Sequence, residues 1–440
     1  MSIWLIAALM VGSLLVLLAA GLPVAFSVGT IAVIFTFILW GPSALLNIAL
    51  TAFGETKDFV MIAVPLFMLM GIALEGSGIA DRLYQAAYIW FGRLRGGLAA
   101  GTVLICTLFA AMSGVSSTST VTMGIVSFPS MLKRKYDKKL IAGSIMAGGA
   151  LGILIPPSLG MITYAVFASE SLGRLFAGGL IPGLLLSSLF ILYILIRSYL
   201  QPQLAPSIPV EERTNWREKV LSLRSTILPI LLVILVLGSI YSGIATPTEA
   251  AAVGAIGAFA CAAVSRSLKW SVTKNVAFRT LSITAMIMWI LIAGRAFSSV
   301  FIAAGAQDLV SEFVLSLPVN RWLIIIMMQI IWFAMGCFFD PMTITLLTIP
   351  IFVPIIRSLG FDGVWFGVLY IMNNETAFLT PPYGLNLFYL KAVAPKEVSM
   401  EDIYKSVLPF VSLQLVGLAL VMVFPAIAMW LPNTLFGVSG

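Results

Sequence analysis

The chain has 440 residues, of which 60% are hydrophobic and only 10% charged, against about 25% charged in an ordinary soluble domain. So few charges cannot cover a water-facing surface, which excludes soluble globular and disordered classes. The 25 basic residues behind the net charge of +7 are too dispersed for a nucleic-acid-binding stripe. Without a single histidine, the chain has no His-metal site, no Ser-His or Cys-His nucleophile pair, and no imidazole proton carrier. Cys106, Cys261 and Cys337 lie far apart in apolar runs and read as small core residues. The composition is that of an all-α polytopic membrane protein.

In chain order, apolar stretches near the ~20 residues needed to cross a bilayer are Ser2–Ala20, Pro23–Trp40, Phe59–Leu74, Gly97–Met112, Leu175–Ile196, Ile227–Ser242, Ala250–Val264, Val276–Ala304, Trp322–Phe338 and Val407–Leu431. Leu140–Ala168 and Val364–Lys391 are too long for one straight span and carry Pro156-Pro157 and Pro381-Pro382 near their middles. Thr118–Leu132 and Pro341–Ile356 barely reach a crossing. The first segment lacks a basic n-region and a small-residue cleavage site, so it reads as a retained span. The polar insert Gln201–Arg224 divides the chain.

Basic residues prefer the cytoplasmic side. With the N-terminus periplasmic, and with Gly97–Leu132 and Trp322–Ile356 entering and leaving on one side as re-entrant hairpins, 20 of the 25 basic residues face the cytoplasm. Lys57, Arg174, Arg321 and Arg357 fall outside, with Arg295 at membrane depth; the C-terminus is then periplasmic too. Making Gly97–Met112 and Thr118–Leu132 two full crossings keeps the same parity, and the short, polar-starting second arm favours the hairpin.

An offset of 225 carries Thr118, Thr120, Pro129, Asp137, Leu154, Pro156, Pro157 and Tyr164 onto Thr343, Thr345, Pro354, Asp362, Leu379, Pro381, Pro382 and Tyr389 without a gap. Nearby offsets pair Gly71 with Gly294. The halves start on opposite sides of the membrane, so the repeat is inverted, an architecture of many secondary transporters. The first repeat is 1–200, with scaffold or arm helices 1–96, hairpin and broken helix 97–168, and closing helix 175–198. A cytoplasmic connection, 201–224, leads to the second repeat, 225–440, with arms 225–320, hairpin and broken helix 321–391, and closing helix 406–432.

A proline pair inside a span disrupts the helix, and unpaired backbone at that depth is tolerated only inside protein or beside a polar cavity. The expected breaks are Gly148–Ser158 and Asn373–Gly384. The hairpin turns, Ser113–Thr120 and Gly336–Thr345, are rich in small polar residues. Hydroxyls, freed carbonyls and carboxylates are hard oxygen ligands for an alkali cation, and helix N-termini beside them favour a carboxylate. Any single hydroxyl also has the plainer option of bonding back to its own helix. Among intramembrane charges, Asp340 at the second tip is the best ligand, and Glu375 lies in the second break. Glu249 in Thr246-Pro-Thr-Glu249 reads equally as a first-turn helix residue, and Arg295 contacts an anionic substrate, pairs with an acid or snorkels to the interface. No Walker A pattern exists, so no ATP-hydrolysing part is visible.

Gly152-Ile-Leu-Ile-Pro-Pro-Ser158, followed by Leu175-Phe-Ala-Gly-Gly-Leu-Ile-Pro-Gly183, resembles the large membrane subunit of TRAP (tripartite ATP-independent periplasmic) transporters. The likeness continues in Gly21–Ala25, Pro65–Phe67, Thr246–Ala251 and Leu379–Leu387, in order over essentially the whole chain. Two departures are Ala377, where the family usually has glycine, and Glu375, where small or apolar residues are usual. The resemblance implies an inner-membrane importer of an organic anion, a carboxylate such as a C4-dicarboxylate or sialic acid, with Na⁺ as coupling ion and no cofactor. It also implies an elevator mechanism, a small four-span membrane subunit and a periplasmic substrate-binding protein.

Carried onto this chain, the first Na⁺ site involves Ser113, Gly114, Ser116, Ser117, Thr118, Gly149, Gly152 and Pro156. The second involves Asp340, Thr343, Thr345, Asn373, Thr380 and Pro381. Substrate then lies between the tips, near Ser116, Ser158, Arg295, Tyr383, Gly384 and Asn386. The alternatives are a stand-alone divalent-anion/Na⁺ symporter and, from another class, an ion channel with re-entrant filter loops.

Overall fold

The computed structural model describes residues 2–209 and 215–437, without the side chain of Ser225, and is helical throughout. The first half holds α1 (Ile3–Ala19), α2 (Val24–Trp40), α3 (Leu45–Thr56), α4 (Ala63–Gly76), α5 (Ile79–Phe91), α6 (Gly97–Ser113), α7 (Ser116–Lys133), α8 (Lys138–Ala150), α9 (Leu159–Ala168) and α10 (Leu172–Leu200). The second holds α11 (Trp216–Tyr241), α12 (Pro247–Val264), α13 (Trp270–Ala303), α14 (Ala306–Ser316), α15 (Arg321–Gly336), α16 (Pro341–Ser358), α17 (Gly363–Leu379), α18 (Leu385–Val393), α19 (Met400–Val423) and α20 (Ala426–Phe436). Among the described residues, six segments are long and apolar enough to cross a membrane: Phe59–Gly76, α10, α12, α13, α16 and α19. α16, expected as a short returning arm, is therefore itself long enough to cross.

Three helices escape a reading based on apolar runs. α3, α5 and α14 carry Glu55, Asp81 with Arg82, and Asp308 with Glu312, so only one face of each is apolar. The expected closing span 407–431 is instead two helices, α19 and α20, parted at Phe424-Pro425, since proline supplies no amide to continue a helix. Glu249 is engaged structurally: its carboxylate accepts from Thr246 N at 2.8 Å, and Glu249 N donates to Thr246 Oγ1 at 3.3 Å, a capping box at the start of α12.

Both long segments are broken at their proline pairs, more narrowly than expected. The first helix continues to Ala150, and after a 3-10 turn at Leu151–Ile153 the chain is non-helical to Ser158. α17 continues to Leu379, so Asn373–Leu379 is helical and only residues 380–384 are not. A proline restricts the residue before it but not the turns further back. Side chains there also bond back to the helix, Asn374 Nδ2 to Tyr370 O at 3.2 Å and Thr376 Oγ1 to Met372 O at 3.0 Å.

The 225-residue offset recurs in the helix boundaries. It maps 116–133 onto 341–358, the limits of α7 and α16, and 138 onto 363, the first residues of α8 and α17. Asp137 and Asp362 both cap these starts: Asp137 Oδ1 accepts from Leu140 N at 3.0 Å, and Asp362 Oδ1 from Val364 N at 2.7 Å. α7 packs on α18 and α16 on α9, so the equivalent helix of each half meets the segment after the other half's break, while α4 packs on α12 and α13.

Of the connection, residues 210–214 lie outside the described residues, but 201–209 is a strap bound to the first half. Ile208 N donates to Gly92 O at 3.0 Å, Gly96 N to Ala205 O at 3.1 Å and Asp137 N to Leu204 O at 2.8 Å. Ala205 and Ile208 are buried.

Candidate functional site

Gly114-Val115 links α6 to α7 and is seated against the first break. Gly114 has φ +66°, a left-handed conformation that glycine adopts freely, and a methyl group on it would lie 2.4 Å from Pro157 O. Leu159 N donates to Gly114 O at 3.3 Å. A methyl on Gly152 would lie 2.9 Å from Ser116 N, and one on Gly149 only 2.0 Å from Thr120 Oγ1. Gly114, the Val115–Ser116 backbone and Thr120 are thus packed against Pro157, Gly152 and Gly149 in turn, with Pro156 buried in the same break. Ser113 Oγ reaches Val115 O at 3.5 Å, whereas Ser117 and Thr118 are half-buried.

Two further hydroxyls complete this region. Ser119 Oγ and Thr120 Oγ1 are fully buried and have no hydrogen-bond partner among the described residues, a costly condition for a buried polar atom. The expected first set did not single them out, although the register that pairs Thr120 with Thr345 carries that signal.

Ser116 Oγ donates to Asn386 Oδ1 at 2.9 Å, and Asn386 Nδ2 to Met146 O at 3.3 Å. The starts of α7, α9 and α18 therefore converge through the Ser116–Asn386 and Gly114–Leu159 bonds, and helix N-termini attract anions. Ser158 caps α9, accepting from Met161 N at 3.3 Å and donating to Ile153 O. At the start of α18, Tyr383 is exposed and Gly384 buried.

The second tip is tied to itself and to an aromatic wall. Asp340 caps α16, its Oδ1 accepting from Thr343 N at 3.1 Å and its Oδ2 from Thr343 Oγ1 at 2.6 Å. Thr345 Oγ1 and Tyr370 Oη are 2.5 Å apart, and Tyr370 Oη donates to Pro341 O at 2.9 Å. Trp332 packs on Tyr370 and Phe366 with ring centroids 4.8 and 4.7 Å apart. Asn373 Nδ2 donates to Gln329 O and Oε1 at 2.9 and 2.8 Å, which leaves Asn373 Oδ1 buried and unpartnered. Thr380 Oγ1 bonds back to Thr376 O at 2.8 Å, next to Pro381. Ala377, on α17, faces Gly336, where an added methyl would lie 2.3 Å from Ala377 Cβ.

Arg295 is taken up elsewhere. Its Nε lies 3.0 Å from Glu55 Oε1, its Nη2 donates to Val166 O at 2.6 Å, and its guanidinium lies 5.1 Å from the Phe167 ring centroid. The acid pairing that the sequence offered for this residue is present, with Glu55 as the partner. Glu375 is fully buried on helical α17, and its side chain faces that of Gln414, which is buried on α19. The site as a whole offers hydroxyls, amide oxygens, freed carbonyls and helix N-termini, which suit binding and release rather than bond-making chemistry.

The solved Alcanivorax borkumensis YdaH transporter has the same overall fold, with a TM-score of 0.64 at 15% identity over 93% of this chain and 97% of that one. The molecule is thus a multi-span, all-helical membrane protein of transporter fold. Residues 11–427 match the family model of the tripartite ATP-independent periplasmic transporter, DctM component. The chain is 34% identical to the C4-dicarboxylate TRAP transporter large permease protein DctM of Pseudomonas aeruginosa, over 91% of this chain and 92% of that protein. It is 30% identical to the isethionate TRAP transporter permease protein DctMQ of Oleidesulfovibrio alaskensis, covering 94% of this chain and 64% of that one. The chain belongs to the DctM family of TRAP transporter large permease subunits and is not an enzyme.

Proposed function

We propose that the chain is the conducting subunit of a Na⁺-coupled importer of a small organic anion, working with a small membrane subunit and a periplasmic binding protein. The observation that carries the cation site is the pair of buried hydroxyls, Ser119 and Thr120, unpartnered among the described residues, beside the break formed by the 3-10 turn Leu151–Ile153 and the non-helical residues 154–158. A hard cation there would satisfy both hydroxyls together with freed carbonyls. A second cation would sit at the Asp340–Thr345 tip near Asn373 and Thr380, and a substrate carboxylate near the converging starts of α7, α9 and α18. The relatives support an anion as cargo, since their names specify a C4-dicarboxylate and isethionate. The length of DctMQ beyond the region matched here supports a second membrane component.

In this reading the two halves are inverted repeats. α6–α7 and α15–α16 act as re-entrant hairpins that move with the broken helices as an elevator against the arm helices. The N- and C-termini face the periplasm of the inner membrane. Uptake into proteoliposomes, with partner subunit and binding protein supplied, should collapse when choline replaces Na⁺. Undiminished uptake driven by a pH gradient alone would overturn the coupling. Transport by the chain alone in vesicles would instead support the stand-alone symporter.

A further inference from the structure

A groove of about 350 Å³ lies between α5, α11 and α12, well away from the tips. Its polar part is made by two arginines. Arg82 reaches across to the end of α12, donating to Ser265 Oγ at 2.8 Å and Ser265 O at 3.4 Å. Arg224 is exposed, and its guanidinium has no hydrogen bond or ion pair among the described residues. The rest of the lining includes Leu221, Leu228, Pro229 and Val264. Among the described residues its lining holds no carboxylate; Glu218 lines a neighbouring groove along α5.

The position along the helices matters as much as the lining. Val264 is the last residue of α12, a segment fit to cross the membrane, so the groove opens where that span ends. Trp216 and Trp270, at the first residues of α11 and α13, are 71% and 81% exposed. Exposed tryptophans near span ends mark the headgroup layer. Two cations above an apolar floor at that level match one chemistry, a phosphate ester attached to acyl chains.

We propose that this groove is a binding site for an anionic phospholipid, the phosphate held between Arg82 and Arg224 and an acyl chain lying along Leu221, Leu228 and Val264. The proposal is independent of Na⁺ coupling and of the cargo.

The test is native mass spectrometry of the full chain released from nanodiscs of phosphatidylglycerol or of phosphatidylcholine. Wild type should retain phosphatidylglycerol preferentially. Arg82→Gln and Arg224→Gln should each weaken retention roughly fivefold, in line with about 1 kcal/mol per basic residue at an anionic membrane surface. Arg224→Lys should keep most of it, and melting curves of all variants should match wild type in phosphatidylcholine. Equal retention of both lipids, undiminished retention in the double glutamine variant, or displacement by millimolar inorganic phosphate would each overturn the proposal.

Discussion

The two tip-and-break units occupy the same register yet are built from opposite materials. The first is closed by glycines: Gly148 abuts Cys106, where a methyl would lie 2.8 Å from Cys106 Cβ, and Gly149 and Gly152 admit Thr120 and the Val115–Ser116 backbone. At the corresponding positions of the second stand Asn373 and Asn374, with Trp332, Phe366 and Tyr370 filling the space between helices. Close backbone approach leaves little room for relaxation, whereas an aromatic layer bridged by Asn373 and Gln329 holds its helices by side chains. The same fold is thus reached by removing side chains on one side and adding them on the other. Among the described residues, the glycine side leaves two neighbouring hydroxyls, Ser119 and Thr120, without partners.

That contrast predicts a graded response to substitution. The largest effect falls on the glycine side. Gly114→Ala meets Pro157 O at 2.4 Å and a left-handed φ, which together should cost about 2–5 kcal/mol and abolish uptake. Thermal denaturation of the purified protein measures it, and a wild-type melting temperature would show that the tip can shift at little cost. On the aromatic side, Asn373→Ala should cost about 1–3 kcal/mol by stranding the buried Gln329 side chain. Gln329→Leu combined with Asn373→Leu should recover part of that loss.

The Gly336–Ala377 contact joins the two strategies. Gly336→Ala should destabilise the second unit, and adding Ala377→Gly should restore it, a coupling that a double-mutant cycle reads directly. Additive losses would place the strain elsewhere. Smallest in stability is Asp340→Ala, which removes an N-cap worth about 1 kcal/mol. Its value lies in transport, where the Na⁺ concentration for half-maximal uptake should rise.

Much of this was legible in the sequence because rare residues carry it. Two proline doublets in register located both breaks, and the offset that pairs Thr118, Thr120 and Asp137 with Thr343, Thr345 and Asp362 recurs in the helices α7 and α16 and in the caps of α8 and α17. What stayed hidden depended on partners far along the chain. Nothing local to Arg295 separates a substrate contact from a pair with Glu55, 240 positions away. The extent of the second break was overestimated because Asn373 and Glu375 look like polar interruptions, whereas the helix runs past both. α3, α5 and α14 were missed because one apolar face does not make an apolar run.

The strap at 201–209 bears on where this molecule can be cut. A nick at residue 201 would leave the strap on the second fragment, whereas its backbone hydrogen bonds go to the Gly92–Gly96 turn and the entry to α8, both on the first. The seam between independently produced fragments therefore lies after residue 209. Two pieces divided there should reassemble when co-expressed, and pieces divided at 201 should not, because the first would lack the ribbon that ties α5 to α8.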